Sequence, residues 1–273
     1  MSVSPDSVLF VTLDSCRFDT FRDAAAPNMK AVAPFYKARA PGHFTYGSHA
    51  AMFVGFTPSV PGLKQAYLDS KFRKLFRLGD VGFRTADPDA FVLNGRSIVE
   101  GFKRRDYRTV GTGAARWFDP ETETGQLLTA DFHRFHYPGN VYSLHSQLTF
   151  LMAEIAVARD PVFAFLNVGE THVPYFFKGA PWSPDDNPCI PYQTQDRSLE
   201  CRMRQLACVE FVDARIAPLL KMFHHATILL CADHGDCWGE DGLWEHGVSH
   251  EATLTVPLSI RLRGEPVVLT EDG

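Results

Sequence analysis

Thr227-Ile-Leu-Leu-Cys231-Ala232-Asp233-His234-Gly235 is an apolar, β-branched run that ends abruptly in a carboxylate, an imidazole and a glycine. A short run without polar alternation reads as a strand buried on both faces, and glycine lets the backbone turn sharply at its end. The pattern recurs elsewhere in the chain: Val8-Leu-Phe-Val-Thr-Leu13 precedes Asp14, and Val162-Phe-Ala-Phe-Leu-Asn-Val168 precedes Glu170 and His172. Helical patterns separate these strands. From Ser198 to Lys221, Leu199, Met203, Leu206, Val209, Val212, Ile216 and Leu219 recur at helical steps, and a second helix runs from about Ser143 to Ala158, stopped by Asp160-Pro161. Strands alternating with helices predict an α/β fold, a three-layer sandwich around a mostly parallel central sheet. In such folds ligands bind beyond the carboxyl ends of the strands, where all three polar clusters fall. Arg108 to Gly111 and Val256 to Leu262 add shorter strands, and the Pro- and Asp-rich segment 179–195 forms a loop long enough to wall or cover a site.

With 273 residues, 45% of them apolar and 22% charged, the chain can bury one sizeable core, so a single domain over 1–273 is expected. The net charge of -5 and the dispersed Lys and Arg argue against a nucleic-acid or polybasic membrane surface. The apolar run at Val8 to Leu13 lacks a basic leader and is too short for a signal peptide or a membrane span. Six cysteines without a CxxC pair read mostly as reduced thiols in a cytoplasmic protein, with one bridge between Cys189 and Cys201 left open. Monomer and homo-oligomer are both left open.

Two carboxylates, Asp14 and Asp233, and the imidazole of His234 stand at strand ends, and a divalent cation is the usual reason to gather such groups. The competing reading makes each Asp a helix cap. Thr45-Tyr46-Gly47-Ser48-His49 opens a short helix through Gly55 that precedes the breaker Pro58. A hydroxyl among free N–H groups at a helix N-terminus suits a phosphoryl or sulfuryl group, although Thr45 also fits a plain N-cap.

Together these segments resemble the sulfatases and phosphonate monoester hydrolases of the alkaline phosphatase superfamily. Thr45-x-x-Ser48-His49 through Gly55 and Pro58 resembles their nucleophile motif, and Asp14-Ser15-Cys16-Arg17-Phe18-Asp19 is similar to their first metal motif. Gly169-Glu170-Thr171-His172-Val173-Pro174-Tyr175 is similar to D-P-H-x-P-Y. Asp233-His234-Gly235-Asp236, then Glu245-His246-Gly247 and Val256-Pro257-Leu258, follow their D-H-G-E, G-E-H-G and V-P-L pattern. The resemblance implies Thr45 as nucleophile, with Ser48 as a competitor, and a single metal (Mn, Zn, Mg or Ca) held by Asp14, Thr45, Asp233 and His234. A second metal is not expected, because Glu170 and His172 lack the spacing of the two-zinc branches.

The resemblance also implies His172 and His246 as catalytic or phosphoryl-binding groups. Ser48, His49, Arg116 and His250 are the further candidates for substrate binding. Thr45 stands where sulfatases carry the Cys or Ser precursor of formylglycine, and Thr cannot be converted. That shifts the expectation from sulfate to phosphate: a metal-dependent hydrolase of small anionic phosphate or phosphonate esters acting through Thr45. Alternatives on the same scaffold are a phosphotransferase or mutase, a sulfatase-type hydrolase, and a non-catalytic metal-binding partner subunit.

Overall fold

The computed structural model describes residues 2–55 and 97–269. Its strands are β1 (Val8–Leu13), β2 (Phe35–Arg39), β3 (Arg108–Gly113), β4 (Arg134–His136), β5 (Val162–Val168), β6 (Thr227–Ala232), β7 (Cys237–Trp238), β8 (Trp244–Glu245), β9 (Thr255–Leu262) and β10 (Glu265–Pro266). An 8-stranded sheet runs in the order β10-β9-β6-β1-β5-β3-β4, with β2 also paired to β9. The pairs joining β6, β1, β5, β3 and β4 are parallel, whereas β9 runs antiparallel to β6. This is the expected mixed α/β sheet, mostly parallel at its centre.

The sheet splits its side chains between two cores, as alternation along a strand requires. Leu9, Val11 and Leu13 of β1 enter one core with Phe21, Met29, Leu151, Val212 and Ile216. That face carries helices α1 (Phe18–Asp23), α2 (Pro27–Lys30), α6 (Leu144–Ala156) and α7 (Ser198–Met222). Val8 and Phe10 point to the other core, with Phe53, Phe118, Phe132, Phe163 and Phe165. There the sheet is covered by α3 (Thr45–Val54), α4 (Ile98–Lys103) and α5 (Glu123–Thr129). Each fully buried Leu or Phe contributes about 1.5–3 kcal/mol of transfer free energy, so both faces are strongly committed. A short helix, α8 (Glu251–Leu254), leads into β9.

Helix α7 corrects one expectation. Val209, Val212, Ile216 and Leu219 are fully buried, but Leu199 and Met203 are 69% and 61% exposed. In its first turns the inward positions belong instead to Cys201, Arg204, Gln205 and Cys208. Arg204 ties down Asp186 of the 179–195 loop, and Gln205 Nε2 donates to Ser15 O (2.9 Å) and Thr171 O (3.1 Å). Buried polar side chains, one bound to the loop and one to two buried carbonyls, therefore outweigh the apolar periodicity there. The loop is also held by Trp182 Nε1, which donates to Tyr175 O at 2.8 Å, and by Arg197, which forks onto Asp186. All six cysteines are free and buried. Among the described residues no helix is long and apolar enough to cross a membrane.

Candidate metal and catalytic site

Sheet register puts the first cluster together. Leu13 pairs with Val168 on one side and with Ala232 on the other, so Asp14, Gly169 and Asp233 leave the sheet at one level. Asp14, Asp233 and His234 are all fully buried, and each offers a ligand atom within 4.8 Å of the others. Neither carboxylate serves as a helix cap: α1 starts after Arg17, and the Asp14 oxygens meet Thr45 and His234 instead. Thr45 is not an N-cap either. Phe44 occupies that position, and Thr45 is the first helical residue, its Oγ1 at 3.4 Å from both Asp14 oxygens and from His234 Nε2.

The electrostatics of this cluster call for a cation. Burial alone would raise the Asp14 carboxyl, but His172, His234 and His246 outweigh it and hold it well below the usual carboxylate range. The Asp233 carboxyl is pushed up, first by burial and then by the Asp14 charge beside it. Burial opposes protonation of His234, yet the charges of Asp233, Asp14 and Asp236 win and raise it to about 10. Asp233 Oδ1 accepts from the N–H groups of Ser15 (3.1 Å) and His234 (3.0 Å). Its Oδ2 is buried without a hydrogen-bond partner among the described residues. An orphaned carboxylate oxygen beside a second carboxylate, an imidazole and a hydroxyl fits a divalent cation, because leaving such an oxygen unpaired costs about 1–3 kcal/mol or more.

Two expected substrate contacts lie behind this cluster instead. Ser48 is fully buried and its hydroxyl donates to Asp233 O at 2.7 Å, so it clamps the end of β6 to α3. His49 is also fully buried, with Nδ1 at 2.7 Å from Thr45 O and Nε2 at 2.9 Å from Thr12 Oγ1. A carbonyl only accepts, so Nδ1 carries the proton, and Nε2 accepts from the Thr12 hydroxyl. Burial, the dominant influence, pushes the imidazole down to about 4 and keeps it neutral. The loop after β6 is equally tight: a Cβ on Gly235 would lie 2.4 Å from Ala252 O, which only glycine avoids.

A second group borders the first. His172 and His246 lie with ring centroids 4.9 Å apart, and His246 is 4.5 Å from His234. His172 Nδ1 donates to Val173 O at 2.7 Å, and His246 Nδ1 sits 2.7 Å from Asp236 Oδ1. Asp236 is a site residue that its motif alone does not single out; its signal in the sequence is a carboxylate two residues beyond His234 with a histidine ten further on. His234, Asp236 and His246 also lie close enough to hold an ion. Glu170 points elsewhere: its Oε1 accepts from Leu144 N at 2.8 Å, at the start of α6, and burial raises it to about 7.

The remaining candidates are not brought to the cluster. Arg116 is exposed in a short turn after β3, where its charge acts on Tyr137. The His250 side chain caps α8, with Nδ1 accepting from Ala252 N at 3.0 Å and Nε2 3.3 Å from Asp241. Glu251 pairs with Arg39 and Lys37 at the surface. Pro58, expected to close the nucleophile helix, lies outside the described residues, whereas that helix ends at Gly55 in a left-handed conformation that suits glycine.

No protein-family model matches the chain. The choline-sulfatase of Rhizobium meliloti (strain 1021) is 24% identical over 95% of this chain, which spans 63% of that relative's length, less than two thirds. Among solved structures, the C-terminal periplasmic domain of EptC from Escherichia coli, in complex with Zn, has a TM-score of 0.62 at 13% identity. The match covers 95% of this chain and 73% of that one. The phosphonate monoester hydrolase of Agrobacterium radiobacter has a TM-score of 0.61 at 14% identity, covering 96% of this chain and 70% of that one. At these identities the structural likeness is one of fold.

Proposed function

Because this chain has the alkaline phosphatase-like fold of the sulfatase superfamily, we propose that it is a metal-dependent hydrolase of phosphate or phosphonate esters with Thr45 as its nucleophile. The observation that carries this reading is the position of Thr45 Oγ1, at 3.4 Å from both Asp14 oxygens and from His234 Nε2 at the first residue of α3. There the hydroxyl is spent on no cap and lies beside the helix N-terminus, whose free N–H groups favour an anionic phosphoryl group. A divalent cation among Asp14, Asp233, His234 and Thr45 supplies Lewis-acid chemistry, lowering the pKa of a neighbouring hydroxyl and neutralising anionic charge.

The chain's own residues supply the rest. Thr45 Oγ1 forms a bond to phosphorus as the bond to the ester oxygen breaks, and its proton passes to the free Nε2 of His246 or His172. That imidazole then returns the proton to the leaving oxygen; the two histidine side chains stand next to one another at the edge of the cluster. Water then attacks the phospho-threonine, breaking the Thr45–phosphorus bond and returning the hydroxyl. Phosphate is preferred to sulfate because a threonine ester of phosphate can be hydrolysed in this way, whereas Thr cannot become the formylglycine of sulfatases. Six free, buried thiols support a reducing, cytoplasmic setting.

Thr45→Ala is the test. Turnover of chromogenic phosphate and phosphonate esters should vanish, together with any trapped phosphoenzyme, while bound metal measured by elemental analysis remains. Unchanged turnover would overturn the assignment. Product analysis with an alcohol present separates hydrolysis from transfer.

A further inference from the structure

Three imidazoles converge here, and each is held by its Nδ1. His234 and His172 are anchored locally, Nδ1 meeting the carbonyl of Gly235 at 3.0 Å and of Val173 at 2.7 Å. His246 is anchored differently, on the carboxylate of Asp236, which is fully buried. The other Asp236 oxygen, Oδ2, accepts from the Tyr175 hydroxyl at 2.9 Å, and that hydroxyl lies 2.7 Å from Trp238 Nε1.

The direction of every proton in this chain follows from its end. An indole N–H only donates, so the Tyr175 oxygen accepts from Trp238 and gives its own proton to Asp236. An ionised carboxylate only accepts, so the proton between Asp236 Oδ1 and His246 Nδ1 resides on the imidazole. Free neutral imidazole favours the proton on Nε2, and the buried carboxylate reverses that preference. The backbone of Asp236 is fixed as well: Arg17 Nη1 donates to its carbonyl at 3.1 Å, and that guanidinium is held by Asp19 at 3.0 Å and Glu240 at 2.6 Å over the Trp238 ring.

We propose that Asp236, oriented by Tyr175 and Trp238, is a positioning residue that holds His246 in the Nδ1–H tautomer and leaves Nε2 to exchange a proton with the reacting group. Both Asp236 oxygens and the His246 Nδ1 are consumed by this chain of hydrogen bonds. The set His234, Asp236 and His246 is therefore a hydrogen-bonded pair beside a ligand histidine, and not a second ion site. The kinetic part of the inference rests on the proposed hydrolase reading; the tautomer does not.

The experiment is a long-range proton–nitrogen correlation spectrum of the full chain labelled with 15N-histidine, recorded at alkaline pH, with His246 assigned by its loss in His246→Gln. The expected result is a pyrrole-type Nδ1 and a pyridine-type Nε2 for His246, moving toward the opposite pattern in Asp236→Asn. A wild-type His246 protonated on Nε2 overturns the proposal whether or not any variant folds. So does a folded Asp236→Asn with the wild-type tautomer. Loss of the His246 Nδ1 proton on titration with Zn2+ overturns it in favour of an ion site.

In an ester assay, Asp236→Asn should lower kcat by about 10²-fold with KM nearly unchanged. If the chain turns over no ester, the kinetic comparison falls with the hydrolase reading and the nitrogen spectrum still decides the tautomer.

Discussion

The site has two halves built on different principles. Asp14, Asp233 and His234 are delivered by adjacent parallel strands whose register leaves no freedom in their mutual placement. His172, Asp236 and His246 stand on loops beyond the strands and are aligned by side-chain hydrogen bonds to Val173, Tyr175 and each other. The first half gathers like charges that burial makes costly, and so suits a cation. The second satisfies its own charges, and so suits proton transfer. Backbone ladders place ligands, whereas side-chain networks choose tautomers, and the two halves should fail in different ways.

The sharpest break is expected from Asp233→Asn. Activity should fall at least about 10³-fold, since the charge stabilisation a bound metal provides is worth several kcal/mol. Metal should no longer raise the melting temperature, while the metal-free variant melts no lower than the wild type, because a buried carboxylate beside Asp14 has been neutralised. A metal-free variant that melts well below the wild type would mean that the carboxylate stabilises the fold without a cation.

His246→Gln probes the other half. It should cost about 10²-fold in kcat with metal content unchanged, because Asp236 is the hydrogen-bond partner of His246 among the described residues and removal of a group that relays a proton has an effect of that order. Loss of metal in this variant would merge the two halves into one.

Glu170 lies beside the second half, and its effect is on stability. Its pKa rises from 4.5 to about 7, chiefly through burial. Between those values the unfolded chain releases its proton first, so stability falls as pH rises through this window, and above it the folded state carries the full cost, about 3 kcal/mol. In Glu170→Gln that slope should flatten, which urea unfolding at about pH 5 and about pH 8 measures.

The smallest change is expected where the halves are joined. Gln205 donates to Ser15 O beside Asp14 and to Thr171 O beside His172. Gln205→Leu leaves the Ser15 carbonyl and the Arg17 N–H unpaired, and Thr171 O with only the Ser15 hydroxyl, at a cost of about 2 kcal/mol in unfolding free energy; an unaltered midpoint would show that water replaces the amide.

Much of the first half is legible along the chain. An apolar run followed by a carboxylate marks each strand end, and the alternation of strands with helices places those ends together. The misreadings cluster where two contact choices have the same sequence signature. Ser48 and His49 follow Thr45 as substrate contacts would, yet in a helix they turn inward, and their polar atoms are satisfied by Asp233 O, Thr45 O and Thr12. His250 precedes a short helix and caps it. Leu199 and Met203 continue an apolar period that Arg204 and Gln205 override, because Asp186 of the loop waits for one of those side chains and the buried carbonyls of Ser15 and Thr171 for the other.

By itself the sequence determined the three-layer architecture, the strand-end carboxylates and the histidine beside them, because burial periodicity and turn chemistry are local and leave a readable pattern. Only the tertiary structure decided that Thr45 is the first residue of its helix and not the cap, and that Ser48 and His49 face inward. It alone joined Asp236 to His246 through a hydrogen-bond chain that begins at Trp238. Those outcomes depend on which donor meets which acceptor across residues distant in the chain, and pairing of that kind has no period for a sequence to carry.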